Sequence, residues 1–564
     1  MVARSRAGTA PPTRTVRRPR FDWPRYSLLG TALALLFGCA SFTPSLVPRD
    51  WAVQGIVVGL SATVGYTLGA FLAWVAHAVR SWRLSLDVTR RLWLLLAVTG
   101  VPLLAWTLWA GQRWQREIRA LTHVPPPAPY EWLLILPLAL AVFVVLVGVG
   151  RAFRWLVRQV TRRLVRLVPV RLAGPLAVIL VVLLAVGLNN SLLWRGLVST
   201  ANSISGAVNG KTSPGTVRPL APQRSGSPAS LISWESLGRQ GRDFVARGPS
   251  LRDLRTFSGA PARRPVRVYA GLKSAPTIRQ EAALAVRDLR RAGGFDRAVL
   301  VVATATGTGL VDPGAVDSLE YMYNGDTATV SIQYSYLPSW ISLLVDSKLA
   351  EDAGRELFNQ VYDAWAALPA QRRPKLLATG TSLGAMGSEA AFSGVADIRN
   401  RTDGVVWVGA PTPAPLHAML VRERDPGSPA WLPVYQSGRT VRFVASPGDL
   451  WRPGPTWDRP RVVYLQYGSD AVVRWSPSLA FTKPAWLSEP RAPDVSPHMH
   501  WFPVVTFWQV TADLPSTYHV PAGHGHRYRE LYANAWAAVA PPPGWTQQDT
   551  QRLRAQLREV IPAE

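Results

Sequence analysis

Apolar and polar positions divide the chain into two regimes. The first 195 residues hold five long apolar runs, at about 26–43, 52–79, 92–111, 132–150 and 173–194. Each is long enough to cross a bilayer as a helix. The first is marginal in length, and an interfacial helix is its alternative. It lies too deep in the chain for a signal peptide and lacks a small-residue cleavage site, so it reads as an anchor. Beyond residue 262 the period changes. Short β-rich runs at 265–272, 298–306, 327–337, 375–380, 404–411, 440–446 and 461–468 alternate with amphipathic helical stretches, one of them long (340–367). Fully apolar strands separated by helices predict a mostly parallel sheet covered on both faces.

These periods define five regions. An Arg-rich tail (1–25) precedes an all-α transmembrane bundle of about five spans (26–195). A Ser/Gly/Pro/Arg-rich linker (196–262) leads to an α/β domain (263–541) and a C-terminal helix or tail (542–564).

Charge changes the picture of the first region. The formal net charge is +27, which in a soluble chain would suggest nucleic acid. Here many arginines flank apolar runs, where they orient a membrane protein, so nucleic-acid binding is disfavoured. The tail, the 80–91 loop and the 151–171 loop together carry eighteen arginines, against four (Arg49, Arg113, Arg116, Arg119) in the two alternate loops. The Arg-rich side is expected to be cytoplasmic. An odd number of spans then puts the α/β domain on the extracytoplasmic face. His77, within the second run, is the one intramembrane ionisable candidate; a neutral imidazole near the interface is its bland reading. Cys39 is the single cysteine, so neither an intramolecular disulfide nor a metal site of four cysteines is possible.

Candidate chemistry begins at LLATGTSLGAMGSEAAF (376–392). G-x-S-x-G alone is a weak signal, but here an apolar strand runs into it and a helix leaves it. Such an elbow holds Ser382 at a sharp turn where Gly380 and Gly384 must be small, and it points the hydroxyl at a helix N-terminus. The base and its orienting acid are expected in the order Ser, acid, His. Asp470, just after the last strong apolar strand, is the preferred acid. Asp449 also follows a strand and is the alternative. In PAGHGHRYRELY, His526 directly precedes a helix and is the preferred base, with His524 second. The expected oxyanion donors are the N–H of Leu383 and, from the loop in ATATGTGL, that of Thr306 or Gly307. That GTG lacks the third glycine of a dinucleotide fingerprint and the lysine of a P-loop. His524 and His526 have no acidic or cysteine neighbour in sequence for a metal. No cofactor or metal is expected. The segment 477–515, rich in Trp, Pro and Phe, has two readings: a lid or lipid-facing rim, or ordinary core and Pro-ordered loop.

The stretches SFTPSLVPRDW, RSGSPASLISWESLGRQGRDFV, PVRVYAGL, ATGTGLVDP, VSIQYSYLPSW, GTSLGAMGS, VVYLQYGSDAVVRWSP and GHGHRY resemble the membrane-tethered α/β-hydrolases of actinobacteria, which join an N-terminal multi-span domain to a C-terminal catalytic domain. The resemblance extends over most of the chain. The family more often has an acidic residue where this chain has Thr381, a position that is not catalytic. The resemblance implies a serine hydrolase with Ser382, Asp470 and His526 at the matching positions. It supplies no substrate. Tethering at a membrane favours a lipid or cell-envelope acyl ester, with membrane lipids as partners. A transacylase would use the same triad, and a catalytically silent membrane platform is the alternative from a different class.

Overall fold

The computed structural model describes residues 26–80, 85–128, 130–188, 203 and 205–560. The Arg-rich tail, the end of the fifth apolar run and the first residues of the expected linker lie outside them. The N-terminal region is helical: α1 (Leu28–Ala40), α2 (Trp51–Arg80), α3 (Leu86–Leu121), α4 (Glu131–Leu164) and α5 (Val170–Leu188). Of the five expected spans, three helices, α2, α3 and α4, are long and apolar enough to cross a membrane among the described residues. The first run forms only 13 helical residues, because the chain turns at Ser41 into the Pro-containing segment TPSLVP. Small residues let these helices approach closely: a Cβ at Gly65 or Gly69 of α2 would collide with backbone carbonyls of α1 at Leu33 and Leu29. Large apolar side chains such as Trp106, Leu133, Val145 and Leu183 face outward, as a lipid environment requires. His77 is exposed on α2 with Nδ1 2.6 Å from the Ala73 carbonyl oxygen, so the helix itself offers its ring a partner.

The C-terminal region is built on seven parallel strands: β1 (Val266–Ala270), β2 (Val299–Thr304), β3 (Thr327–Ile332), β4 (Lys375–Thr381), β5 (Gly404–Val408), β6 (Val441–Val444) and β7 (Arg461–Leu465), in the order β1-β3-β2-β4-β5-β7-β6. Nearly every strand residue is buried, which explains why the strands read as continuous apolar runs. The helices Ile278–Arg291 (α6), Lys348–Ala366 (α8) and Leu383–Glu389 (α9) cover one face; Pro313–Met322 (α7), Arg529–Val539 (α11) and Gln547–Val560 (α12) cover the other. Between α9 and α11 in the chain lies α10 (Val505–Ser516).

Three boundaries differ from the sequence reading. The long helix expected over 340–367 is two helices, Ser339–Val345 and α8, because the chain leaves helical geometry at Asp346 (φ −160°, ψ 77°). The stretch that reads as a linker is, from residue 205 onward, folded onto the sheet. Ile232, Leu237, Phe244 and Val245 enter the main core, and Ser225 and Ser230 donate to Asp288 of α6. Its polar composition conceals a few well-spaced apolar anchors. The C-terminal stretch is likewise integral, with Leu553 and Leu557 in the core of the second face.

The membrane half and the α/β domain are joined by a buried polar and apolar seam. Leu46, between α1 and α2, is fully buried among Ala471, Val472, Trp475, Met499, Val510 and Leu514. Arg49 pairs with Asp513 of α10 at 3.0 Å, with both side chains inaccessible. Most of the aromatic-rich segment 477–515 belongs to this seam: Trp486, Trp501 and Phe507 pack onto the same cluster, while Phe481 remains exposed.

Candidate active site

Parallel strands put all their C-terminal ends along one edge, where α/β folds collect functional groups. The register aligns three of them: Thr381 of β4 is opposite Val408 of β5, and Val408 is opposite Leu465 of β7. The residues that follow β4 and β7 therefore emerge together.

Ser382 follows β4 with φ 58° and ψ −128°, a conformation that L-residues rarely adopt and that marks strain held at a site. Its N–H donates to the Val408 carbonyl at 2.8 Å, which pins the turn to the neighbouring strand. The glycines are needed for approach, since a Cβ at Gly384 would run into the carbonyl oxygens of Thr304 and Ala305, and one at Gly380 into that of Gly384. Leu383 opens α9, so its N–H has no carbonyl within the helix to bond.

Asp470 follows β7 and is fully buried. Its Oδ2 lies 2.7 Å from His526 Nδ1 and accepts from the Tyr528 hydroxyl at 2.6 Å; its Oδ1 accepts from the Val472 N–H at 2.8 Å. His526 Nε2 is buried and has no hydrogen-bond partner among the described residues. The histidine loop is fixed by the His526 N–H on the Thr517 carbonyl (2.9 Å) and the Gly525 N–H on Ser469 Oγ (2.9 Å). Close packing positions the ring as well: a Cβ at Gly409, where φ is +57°, would strike it.

Asp449 stands elsewhere. It follows β6, the edge strand, and its Oδ2 accepts from the N–H groups of Ala445 and Ser446 and from the Ser446 hydroxyl, the behaviour of a turn former. His524 engages the membrane half instead, with Nε2 3.0 Å from Nδ1 of His123, a residue just beyond α3. Burial lowers the pKa of His524. Of the expected oxyanion donors, the Thr306 N–H is given to the Leu310 carbonyl (2.9 Å) and the Gly307 N–H to Ser339 Oγ (3.1 Å). Among the described residues, no group of three or more His, Cys, Asp or Glu stands together to hold a metal ion.

The structure adds tyrosines with no sequence signal of their own. The Tyr518 hydroxyl is 3.4 Å from Ser382 Oγ, and its ring meets that of His526 edge-on at 4.9 Å between centroids. Tyr528 stacks on Tyr467 at 4.5 Å while donating to Asp470. Tyr532 donates to Asp312 at 2.9 Å and lies 2.8 Å from Thr381 Oγ1, beside the elbow. Only GHGHRYRELY, which places Tyr528 and Tyr532 directly after the histidine, could have drawn attention to two of them.

Two family models match, one described as the alpha/beta-hydrolase family over residues 266–553 and the other as the N-terminus of an alpha/beta-hydrolase family over residues 42–249. The chain belongs to the alpha/beta-hydrolase family. No curated protein and no solved structure matches it. The N-terminal match takes in α2 to α5 and continues into the segment that is folded onto the sheet.

Behind the elbow, Glu389 ends α9 fully buried. Its Oε2 accepts from the His417 N–H at 2.9 Å, and desolvation pushes its carboxyl up to about 8. His417 is itself buried, and desolvation lowers it to about 4. In the folded hydrolase Glu389 therefore keeps its proton well above the pH at which the unfolded chain loses it. This contribution to stability is complete below about pH 4.5 and is lost as pH rises to about 8. Glu389→Gln is expected to remove that loss. The unfolding free energy followed from pH 5 to pH 8 should fall in the parent relative to the variant, by an amount on the order of a few kcal/mol at most. Parallel curves would mean that Glu389 is not neutral in the fold.

Proposed function

We propose that this hydrolase is a membrane-held serine esterase acting on a lipid or cell-envelope acyl ester at the extracytoplasmic face. The observation that carries the reading is the 2.7 Å contact of Asp470 with His526 Nδ1, with Nε2 unengaged, beside a serine held at a strained elbow. The carboxylate orients the imidazole and stabilises its cationic form, and Nε2 accepts a proton. As Ser382 Oγ bonds to the ester carbon, its proton passes to His526 and the carbonyl electron pair moves onto oxygen. Collapse of this adduct breaks the bond to the alcohol, which leaves with the proton from His526. Water, deprotonated by His526, then attacks the acyl-serine and releases the acid. Serine and histidine need not be within hydrogen-bond distance beforehand, since such contacts commonly tighten only with substrate bound.

The outward placement is supported by which loops the α/β domain touches. Ser45, Leu46 and Arg49, then Glu117 and His123, belong to or border the two Arg-poor connections, and all contact it. The lipid or envelope reading is supported by the histidine loop leaning on the membrane half through His524 and His123, which keeps the site close to the bilayer surface. The expected result is that a membrane-impermeant fluorophosphonate labels the chain in intact cells. Labelling only after lysis would overturn the outward placement, and a folded chain that never labels would overturn the activity.

A further inference from the structure

The oxyanion formed during this reaction needs two donors, and the site as it stands offers one of the usual pair. The Leu383 N–H opens α9 and is available. The backbone donors expected from the loop after β2 are committed, Thr306 to Leu310 and Gly307 to Ser339. A hydroxyl does stand beside the nucleophile, that of Tyr518, 3.4 Å from Ser382 Oγ. In the tetrahedral adduct the oxyanion sits on the carbon bonded to Oγ, so a donor beside Oγ is within reach of it without a large movement. Burial raises the phenol further above its ordinary range, so it keeps the proton it must share.

Tyr518 is held by the same segment that anchors the histidine loop. It lies two residues beyond α10, where the Thr517 N–H donates to the Asp513 carbonyl and the Thr517 carbonyl accepts the His526 N–H. The Asp513 carboxylate is clamped from the membrane half: it accepts from the Ser45 hydroxyl, from the Leu46 N–H at 3.0 Å and from Arg49 Nε at 3.0 Å. Arg49 is braced in turn by Gln54 and by the Ser41 carbonyl. The stretch SFTPSLVPRDW thus grips the helix whose end delivers Tyr518 and anchors the histidine loop.

We propose that Tyr518 is a catalytic residue whose hydroxyl is the second donor to the oxyanion, and that Arg49 and Asp513 are positioning residues that hold it in place. The proposal rests on the esterase reading above. It makes the membrane half a working part of the catalytic domain rather than a tether.

The test uses the full chain in detergent micelles, with p-nitrophenyl butyrate turnover, the rate of fluorophosphonate labelling and the thermal midpoint measured for each variant. Tyr518→Phe is expected to lower kcat by about 10²–10³-fold, the loss typical of one oxyanion donor, with KM and the thermal midpoint close to the parent. Arg49→Lys keeps the charge and loses the planar fork. It is expected to lower kcat in the parent background and to have little further effect in Tyr518→Phe, because the two act through one group. A Tyr518→Phe variant as fast as the parent, or faster, would show that the hydroxyl only covers the serine and would overturn the proposal. Equal effects of Arg49→Lys in both backgrounds would overturn the positioning role. A parent that is no more reactive than Ser382→Ala would overturn the esterase reading itself, and this inference with it.

Discussion

Ser382→Ala is expected to abolish fluorophosphonate labelling and to lower ester turnover by about 10⁴–10⁶-fold, the range seen when a nucleophile is removed from a working triad. The backbone should not move. The strain at φ 58° is borne by the turn, whose N–H is tied to Val408 and whose neighbours are held by Gly380 and Gly384. Alanine meets the same strain there and loses only the 3.4 Å contact with Tyr518. The thermal midpoint should therefore stay near that of the parent. This separates lost chemistry from lost fold, and turnover persisting in Ser382→Ala would mean that another group attacks the ester.

Asp470→Asn is expected to lower kcat by roughly 10³–10⁴-fold. The carboxylate accepts three hydrogen bonds, two on Oδ2 from His526 and Tyr528 and one on Oδ1 from the Val472 N–H. An amide has one accepting oxygen, so its NH2 must face a donor on one side or the other. If it faces Val472, the loop loses its cap. If it faces His526, the ring is driven to the tautomer with Nε2 protonated, which cannot take a proton from serine. His526→Ala should be at least as damaging, whereas His524→Ala should keep turnover within a few-fold, because its imidazole engages His123. Rates measured side by side in the three variants decide the matter; a large loss confined to His524→Ala would transfer the role of base to that residue.

Much of this was visible locally. Each strand of the sheet is an apolar run of its own, and burial on both faces leaves such strands no polar positions to obscure them. The elbow is equally local, since its small residues lie within a few positions of Ser382. The helix break at Asp346 was hidden, because the junction between the two helices holds neither Pro nor Gly to mark it. The linker reading failed for the opposite reason: a polar stretch needs only a few anchors, such as Leu237 and Phe244, to become part of a core.

The amino-acid sequence by itself determined the two regimes of the chain, the seven strands and the strand–serine–helix turn, because each follows from periodicity or spacing within a few residues. Only the tertiary structure decided that the end of β7, rather than that of β6, faces the histidine. Strand order is a property of the assembled sheet, and β6 lies at its edge. The same holds for the tyrosines around the serine and for the Arg49–Asp513 pair, whose partners are 464 residues apart. No local pattern records such a contact; it exists because the membrane half and the catalytic half bury one seam between them.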